Sequence, residues 1–287
     1  VAPANTPAVR SLFEPGLQFQ YSGGGTIISQ LIITDLTKQP YEKFMFDSVL
    51  KPIGMTNSFY SAAPPKGKEL NKYAMGYTKE GEKVDATFQV YPEQAALGLW
   101  TTPTELSNYV IATQLAYIEK PVKVINQNMA QLLLTPYLDN SATMGAFIGD
   151  RNGEKYFFHD AGNEGYRGLY YGSVEGGNGV VVFVNSDDGN IILELLNSVA
   201  SVYNWKGFDK PINVSTIEIP ESTGEKYTGV YLYDGKISEV TKEKDGLYFW
   251  TANQNCKMYF TNEKDFVNIE FPTEKSFIVD SIGNATG

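Results

Sequence analysis

The stretch Lys155-Tyr-Phe-Phe-His-Asp-Ala-Gly-Asn-Glu-Gly-Tyr-Arg-Gly-Leu-Tyr-Tyr171 decides how this chain folds. Tyr156, Phe157 and Phe158 open it as a strand, since aromatic side chains fit a pleated, half-buried surface. Gly162 and Gly165 break the run, and Leu169–Tyr171 resumes it. Behind it, Gly179-Val-Val-Val-Phe-Val-Asn185 is a short apolar run of the kind a buried strand shows, and Gly176-Gly-Asn-Gly179 before that run is a hairpin turn signal. Ahead of it, Met144–Gly149 and Lys155–His159 flank another turn signal, Asp150-Arg-Asn-Gly153. Three strands in succession with short loops make an antiparallel meander. The chain's one histidine, His159, falls where a strand meets a turn. A polar group on such a rim, beside glycines, can face a substrate.

Upstream, Val1–Leu17 is rich in Pro and Ala and reads as extended, with a turn at Glu14-Pro-Gly16. Ile27, Ile28, Leu31, Ile32 and Leu36 share one helical face. A second helix is expected from Pro40, suited to a first helical position, to about Leu50, ended by Pro52-Ile-Gly54. Thr56–Val90 reads as loop with short strands. Thr102-Pro-Thr-Glu105 is a helix start, with Thr102 as N-cap and Glu105 completing a capping box. Further helices fit Asn126–Leu134 and Asp188–Tyr203. The expected architecture is α+β, with helices against one face of the sheet. After a composition shift near Pro211, six short alternating segments from Tyr227 to Val279 are punctuated by Gly, Asn and Asp, and they predict a small all-β barrel or sandwich. The domains expected are 1–211 and 212–287.

The chain has 287 residues, 42% hydrophobic and 13% aromatic, enough for a sizeable core. A net charge of −10 with no basic patch argues against nucleic acid as a partner. No apolar run approaches the ~18 residues of a membrane span. One cysteine, Cys256, excludes an internal disulfide or a Cys-x-x-Cys site, and with a single histidine a structural zinc site is not expected.

No Gly-x-Ser-x-Gly elbow occurs. Gly23-Gly-Gly-Thr26 opens a helix and is better read as a tight backbone turn than as a phosphate loop, which would want a lysine and longer spacing. Alone, Tyr21 is better explained by packing under a loop–helix junction, and His159 by a satisfied structural role.

Taken in order, Glu14-Pro-Gly16, Phe19-x-Tyr21-Ser22, a helix, Leu50-x-Pro-Ile-Gly-Met55, Gly98-Leu-Trp-Thr-Thr-Pro-x-Glu-Leu106, and His159 followed by Gly162-Asn-Glu-Gly-Tyr-Arg167 resemble the serine β-lactamase and penicillin-binding-protein superfamily. The branch is that of class C β-lactamases, D-Ala-D-Ala carboxypeptidases and related esterases. The resemblance covers about Val9–Tyr203, and the tail, with Tyr227-Thr-Gly-x-Tyr231, looks like the lipocalin-like β domain often appended to this family. That family uses a Ser-x-x-Lys nucleophile, a Tyr-x-Asn loop and a Lys/His-x-Gly strand. The resemblance implies that Tyr21 shuttles a proton, with a neighbouring cation lowering its pKa. It also implies that His159 binds a substrate carboxylate or polarises Tyr21. Ser22, Gly23, Asp160, Ala161, Gly162 and Asn163 would touch substrate, with backbone N–H near Ala161–Gly162 forming half of an oxyanion hole. No metal or organic cofactor is implied. The setting implied is the bacterial envelope or secretion, and the partner a small-molecule or peptide substrate.

The chain departs from the family in three places. Position 23 is Gly where Asn is usual. His159-Asp-Ala-Gly162 places Gly one position late, and Asp160 adds charge that disfavours an anionic substrate. No Ser-x-x-Lys precedes Tyr21; the one match, Ser48-Val-Leu-Lys51, falls at a helix end and is read as coincidence. The expectation is therefore the C-terminal part of a serine hydrolase acting through an acyl-enzyme on a β-lactam, D-Ala peptide or ester, with this chain alone inactive. The alternative is a non-catalytic peptide- or glycan-binding protein on the same fold.

Overall fold

The computed structural model describes residues 8–61, 73–84, 91–208, 214–233, 235–251, 254–268, 274–281 and 283–287. The extended reading of residues 1–7, the loop reading of 62–72 and 85–90, the position of the boundary at 211 and the strand reading of 269–271 lie outside them. Two compact units divide the chain, Val1–Lys210 and Pro211–Gly287.

In the first unit, α1 (Gly23–Thr37) starts at Ser22, whose Oγ accepts from the Gly25 N–H at 3.0 Å and so satisfies one of the helix's orphan donors. Its apolar spacing forms the helix but not a buried face. None of its fifteen residues is buried, and Leu31 and Leu36 are 58% and 80% exposed. The next helix, α2 (Tyr41–Met45), has Pro40 as its N-cap rather than its first residue. It continues as a π-turn (Phe46–Leu50) and a 3-10 turn (Lys51–Ile53), and Gly54 at φ +86° ends it, a conformation only glycine adopts cheaply. The strand β1 (Phe59–Tyr60) pairs antiparallel with β2 (Leu99–Trp100), which follows α3 (Gln94–Leu97). Then come α4 (Pro103–Tyr117) and α5 (Gln127–Leu133), the latter capped by Asn126 Oδ1 on the Met129 N–H at 2.9 Å.

The expected capping box is half formed. Thr102 Oγ1 accepts from the Glu105 N–H at 3.2 Å, but the Glu105 carboxylate turns away from the helix end. It accepts from the Asn57 N–H (2.9 Å), the Asn57 side-chain amide (2.8 Å) and the Ser58 hydroxyl (2.5 Å). Three tertiary donors, one of them on the buried Ser58, together outweigh the single local one.

The meander has four strands rather than three: β3 (Phe147–Arg151), β4 (Glu154–Asn163), β5 (Tyr166–Ser173) and β6 (Gly179–Val184), in that spatial order and all antiparallel. The helix α6 (Asn190–Val202) follows. Helices cover both sheet faces, not one. Tyr156, Leu169, Tyr171 and Val182 pack with Ile192 and Leu196 of α6, while Phe157 and Ile148, on the other face, pack with Val110 of α4 and Leu134 after α5. Successive side chains alternate between faces, so uninterrupted apolar runs such as Leu169–Tyr171 and Val180–Val182 are the mark of two buried faces.

The second unit holds one short helix, α7 (Glu221–Tyr227), and two separate open sheets rather than a closed barrel among the described residues. The first has the order β10 (Gln254–Lys257), β9 (Gly246–Thr251), β8 (Lys236–Glu243), β7 (Gly229–Tyr233). The second joins β11 (Tyr259–Phe260), β12 (Asp265–Val267) and β13 (Lys275–Ser276). Its core is aromatic, with Tyr227 stacked on Phe277 at 4.1 Å and Phe249, Phe260 and Phe266 around them. Among the described residues, no helix of either unit is long and apolar enough to cross a membrane.

Candidate active site

The centre of the candidate site is the far half of β4. Its ladder with β3 ends at Phe147↔Phe158, whereas its ladder with β5 runs on to Asn163↔Tyr166. On the β3 side, the backbone of His159–Asn163 therefore has no strand partner among the described residues, and Asp160, Ala161 and Gly162 are exposed. Unpaired backbone groups on a strand edge can take up an extended chain or a carbonyl oxygen.

Tyr21 and His159 meet there although they are far apart in sequence: their ring centroids are 6.0 Å apart, tilted by 40°. Phe147 at the start of β3 is the common platform. Tyr21 stacks on it at 6.3 Å, Phe19 meets it edge-on at 6.3 Å, and His159 lies 5.6 Å from it. Sequence reasoning missed Phe147; its only signal was an aromatic in a segment already read as a strand. His159 Nδ1 lies 2.5 Å from the Asp160 carbonyl oxygen. A carbonyl only accepts, so Nδ1 carries the proton and donates. That leaves Nε2 to face a ligand or the Tyr21 phenol. Tyr21 is 61% exposed, so its hydroxyl is accessible.

Ser22 is occupied as the N-cap of α1, so its oxygen already accepts a backbone proton. A Cβ at Gly23 would meet nothing within 4 Å; the side chain missing at that position leaves open space. Ser48 sits on the exposed π-turn, and Lys51 lines a shallow hollow with Asp47 and Lys123. Neither belongs to the Tyr21–Phe147–His159 cluster.

Beyond His159, Asp160, Ala161, Gly162 and Asn163 line an open cleft of about 680 Å³, with Tyr91 and Leu97 on its other wall, a volume in the range of small-ligand sites. Arg167 and Asp187 also border it and bind each other at 2.8 Å. Arg167 donates as well to the carbonyls of Asn163 (2.6 Å) and Tyr166 (2.8 Å), so this guanidinium holds the turn after β4. Asn163 donates to the Leu97 carbonyl at 3.2 Å, fixing the two walls to each other. Gly165 is irreplaceable at the tip: its φ is +79°, and a Cβ would lie 2.8 Å from Gly76 Cα. Sequence reading quoted Arg167 in a motif without a role; its partners 20 residues away could not be read from spacing.

A family model described as Beta-lactamase matches residues 4–201. Protein flp of Staphylococcus aureus (strain N315) is 27% identical over 179 residues, 60% of this chain and 34% of that protein. A beta-lactamase of Pseudomonas fluorescens is 30% identical over 115 residues, 39% of this chain and 30% of that protein. The chain thus spans about a third of the length of the curated relatives it matches. In fold it is similar to the octameric penicillin-binding protein homologue from Pyrococcus abyssi (TM-score 0.60, 20% identity, 92% of this chain and 67% of that one). It is similar also to FmtA from Staphylococcus aureus (TM-score 0.52, 16% identity, 68% and 52%). The family model covers more than half of the chain, and the chain belongs to the beta-lactamase family.

Proposed function

We propose that this chain is part of a serine hydrolase of the β-lactamase/penicillin-binding type that acts through an acyl-enzyme on an amide or ester. The observation that carries the reading is the convergence of Tyr21 and His159 beside the unpaired edge of β4. In the proposed reaction the edge receives the substrate as an added strand, and backbone N–H groups near Ala161–Gly162 stabilise the oxyanion. A serine hydroxyl from a Ser-x-x-Lys segment gives its proton to the lysine amine, which relays it to Tyr21, and its oxygen bonds to the substrate carbonyl carbon. The bond to the leaving nitrogen or oxygen breaks, and Tyr21 passes it a proton. Water then releases the acyl group and restores the serine.

No Ser-x-x-Lys precedes Tyr21 here, so this reading assigns the serine to a segment outside the 287 residues. The exposed apolar residues of α1, Ile28, Leu31, Ile32 and Leu36, support a further packing segment next to Tyr21. The test is intact-mass measurement after a labelled penicillin or a fluorophosphonate. We expect no adduct on the 287-residue chain and a stoichiometric one on a longer form that carries Ser-x-x-Lys. An adduct on Ser22 or Ser48 would refute the assignment; binding without any adduct on the longer form would favour the non-catalytic binder.

The cleft also predicts a charge preference. Asp160 is exposed on the cleft wall, and Arg167 is held by Asp187, so a carboxylate-bearing ligand meets net repulsion. Asp160→Asn should tighten binding of an anionic D-alanyl peptide by roughly 3–5-fold, the size of a solvent-exposed charge effect below ~1 kcal/mol. Titration calorimetry checks it. The gain should fade in high salt, because exposed charges are screened, and be absent for the amidated peptide.

A further inference from the structure

Beyond His159 the cleft keeps its acceptors and has spent its side-chain donors. Among the described residues that line it are three carboxylates, Asp160, Glu164 and Asp187, and one guanidinium, Arg167. That guanidinium is already committed. It donates to the carbonyls of Asn163 and Tyr166 and pairs with Asp187 at 2.8 Å, and Asp187 also accepts from the Gly165 N–H at 3.0 Å. The Asn163 amide nitrogen donates to the Leu97 carbonyl at 3.2 Å, which leaves its Oδ1 as an acceptor. The Asp160 carboxylate is exposed on the cleft wall, and no cation among the described residues pairs with it. Tyr91 and Leu97 form the facing wall.

We propose that this cleft binds an ammonium group, so that, resting on the hydrolase reading above, the substrate is an amide or ester that carries a free amine. An ammonium has three donors and no acceptor, and it matches the Asp160 oxygens and Asn163 Oδ1. A carboxylate is the reverse case. It needs donors that the cleft side chains have already given away, and it meets a negative charge that nothing balances. The Tyr91 ring favours the same sign, because an aromatic face attracts cations. A chain of net charge −10 also steers cations toward it. Position along β4 says where on the substrate the amine lies. Asp160 is within two residues of the Ala161–Gly162 N–H groups assigned to the oxyanion, at a strand rise of ~3.3 Å per residue. The ammonium therefore stands only a few bonds from the reacting carbonyl. Asp187 makes the selection possible: by holding Arg167, it removes the one cation that could have taken a carboxylate.

NMR titration of the isotope-labelled 287-residue chain reads the preference, at low salt and at pH ~7, below the pKa of an α-amine. Three forms of one dipeptide are compared: D-Ala-D-Ala amide with its amine free, the same amide N-acetylated, and N-acetyl-D-Ala-D-Ala with its carboxylate free. The amine form should bind roughly 3–5-fold tighter than the neutral form, the ratio that an exposed ion pair commands. The carboxylate form should bind most weakly, and the shifted amides should include Gly162, Asn163 and Gly165. Asp160→Asn should bring the amine and neutral forms together without moving the Kd of the neutral one, and high salt should do the same to the wild type. Amine and neutral forms that bind the cleft equally, or a preference that survives Asp160→Asn, would overturn the ammonium assignment and leave the hydrolase reading standing. Failure of all three forms to bind, or shifts confined elsewhere, would also overturn it; the adduct on the longer form then decides the hydrolase reading separately.

Discussion

Tyr21→Phe, made in the form of the protein that carries the nucleophile, should lower kcat/KM by roughly 10²–10⁴-fold, the usual contribution of a positioned proton-transfer group. The fall should lie in kcat, because the phenol acts on the leaving group rather than in holding substrate. The change removes one oxygen and keeps the ring that stacks on Phe147. Tyr21 is exposed, so the melting temperature should not move. His159→Ala should give a loss of similar order, with a rise in KM if Nε2 meets the substrate. The double variant should fall little below the worse single one if the two rings act as a unit. Steady-state hydrolysis of a chromogenic ester or β-lactam reads all three variants. Activity of Tyr21→Phe within threefold of wild type would remove the phenol from the mechanism.

Glu105→Ala should destabilise the first unit by about 3 kcal/mol, the scale of losing several hydrogen bonds to a buried charged acceptor. Ser58 would be left with a buried donor facing a void and keep only its 2.7 Å contact with Thr101, while the donors of Asn57, an exposed residue, would turn to water. For a domain of this size the melting temperature should drop by roughly 6–12 °C. Burial by itself raises the Glu105 pKa, but the hydrogen bonds from Ser58 and Asn57 outweigh it and hold the carboxyl below its ordinary value. A group whose pKa is depressed on folding contributes stability above its unfolded pKa, about 4.3, and loses it as pH falls through the folded pKa. The gap between wild type and Glu105→Ala in urea unfolding should therefore be full at pH 7 and narrow steadily below pH ~4. A gap that stays constant would mean that the carboxylate is not the source. The bridge reaches toward the cleft: Ser58 precedes β1, β1 pairs with β2, and Trp100 of β2 packs edge-on against Tyr166 at 6.3 Å.

Much of this could be read from order and periodicity. The turn signals at Asp150–Gly153 and Gly176–Gly179 set the meander, since short apolar and aromatic runs joined by glycine-rich turns have few other solutions. Thr102 and Asn126 announced their helices because a cap is a local hydrogen bond, complete within three residues. The pairing of Tyr21 with His159 followed from the ordered motifs, not from either residue.

Burial and partnership could not be read in the same way. The spacing of Ile28, Leu31, Ile32 and Leu36 dictates a helix, because that periodicity is a property of the local backbone. Whether the face is covered depends on what packs on it, and among the described residues Ile28, Leu31, Ile32 and Leu36 stay exposed. Glu105 satisfied a local pattern and then bonded to residues 47 and 48 positions away, since a carboxylate goes where the most buried donors are. Arg167 was one letter in a motif until the fold brought Asp187 to it. The sequence by itself determined the antiparallel meander, the Thr102 cap and the family. Only the tertiary structure decided that both sheet faces are covered, that Phe147 joins Tyr21 to His159, and that β4 outruns β3. Those depend on contacts between distant segments, whose free energy exists only once the chain has closed on itself.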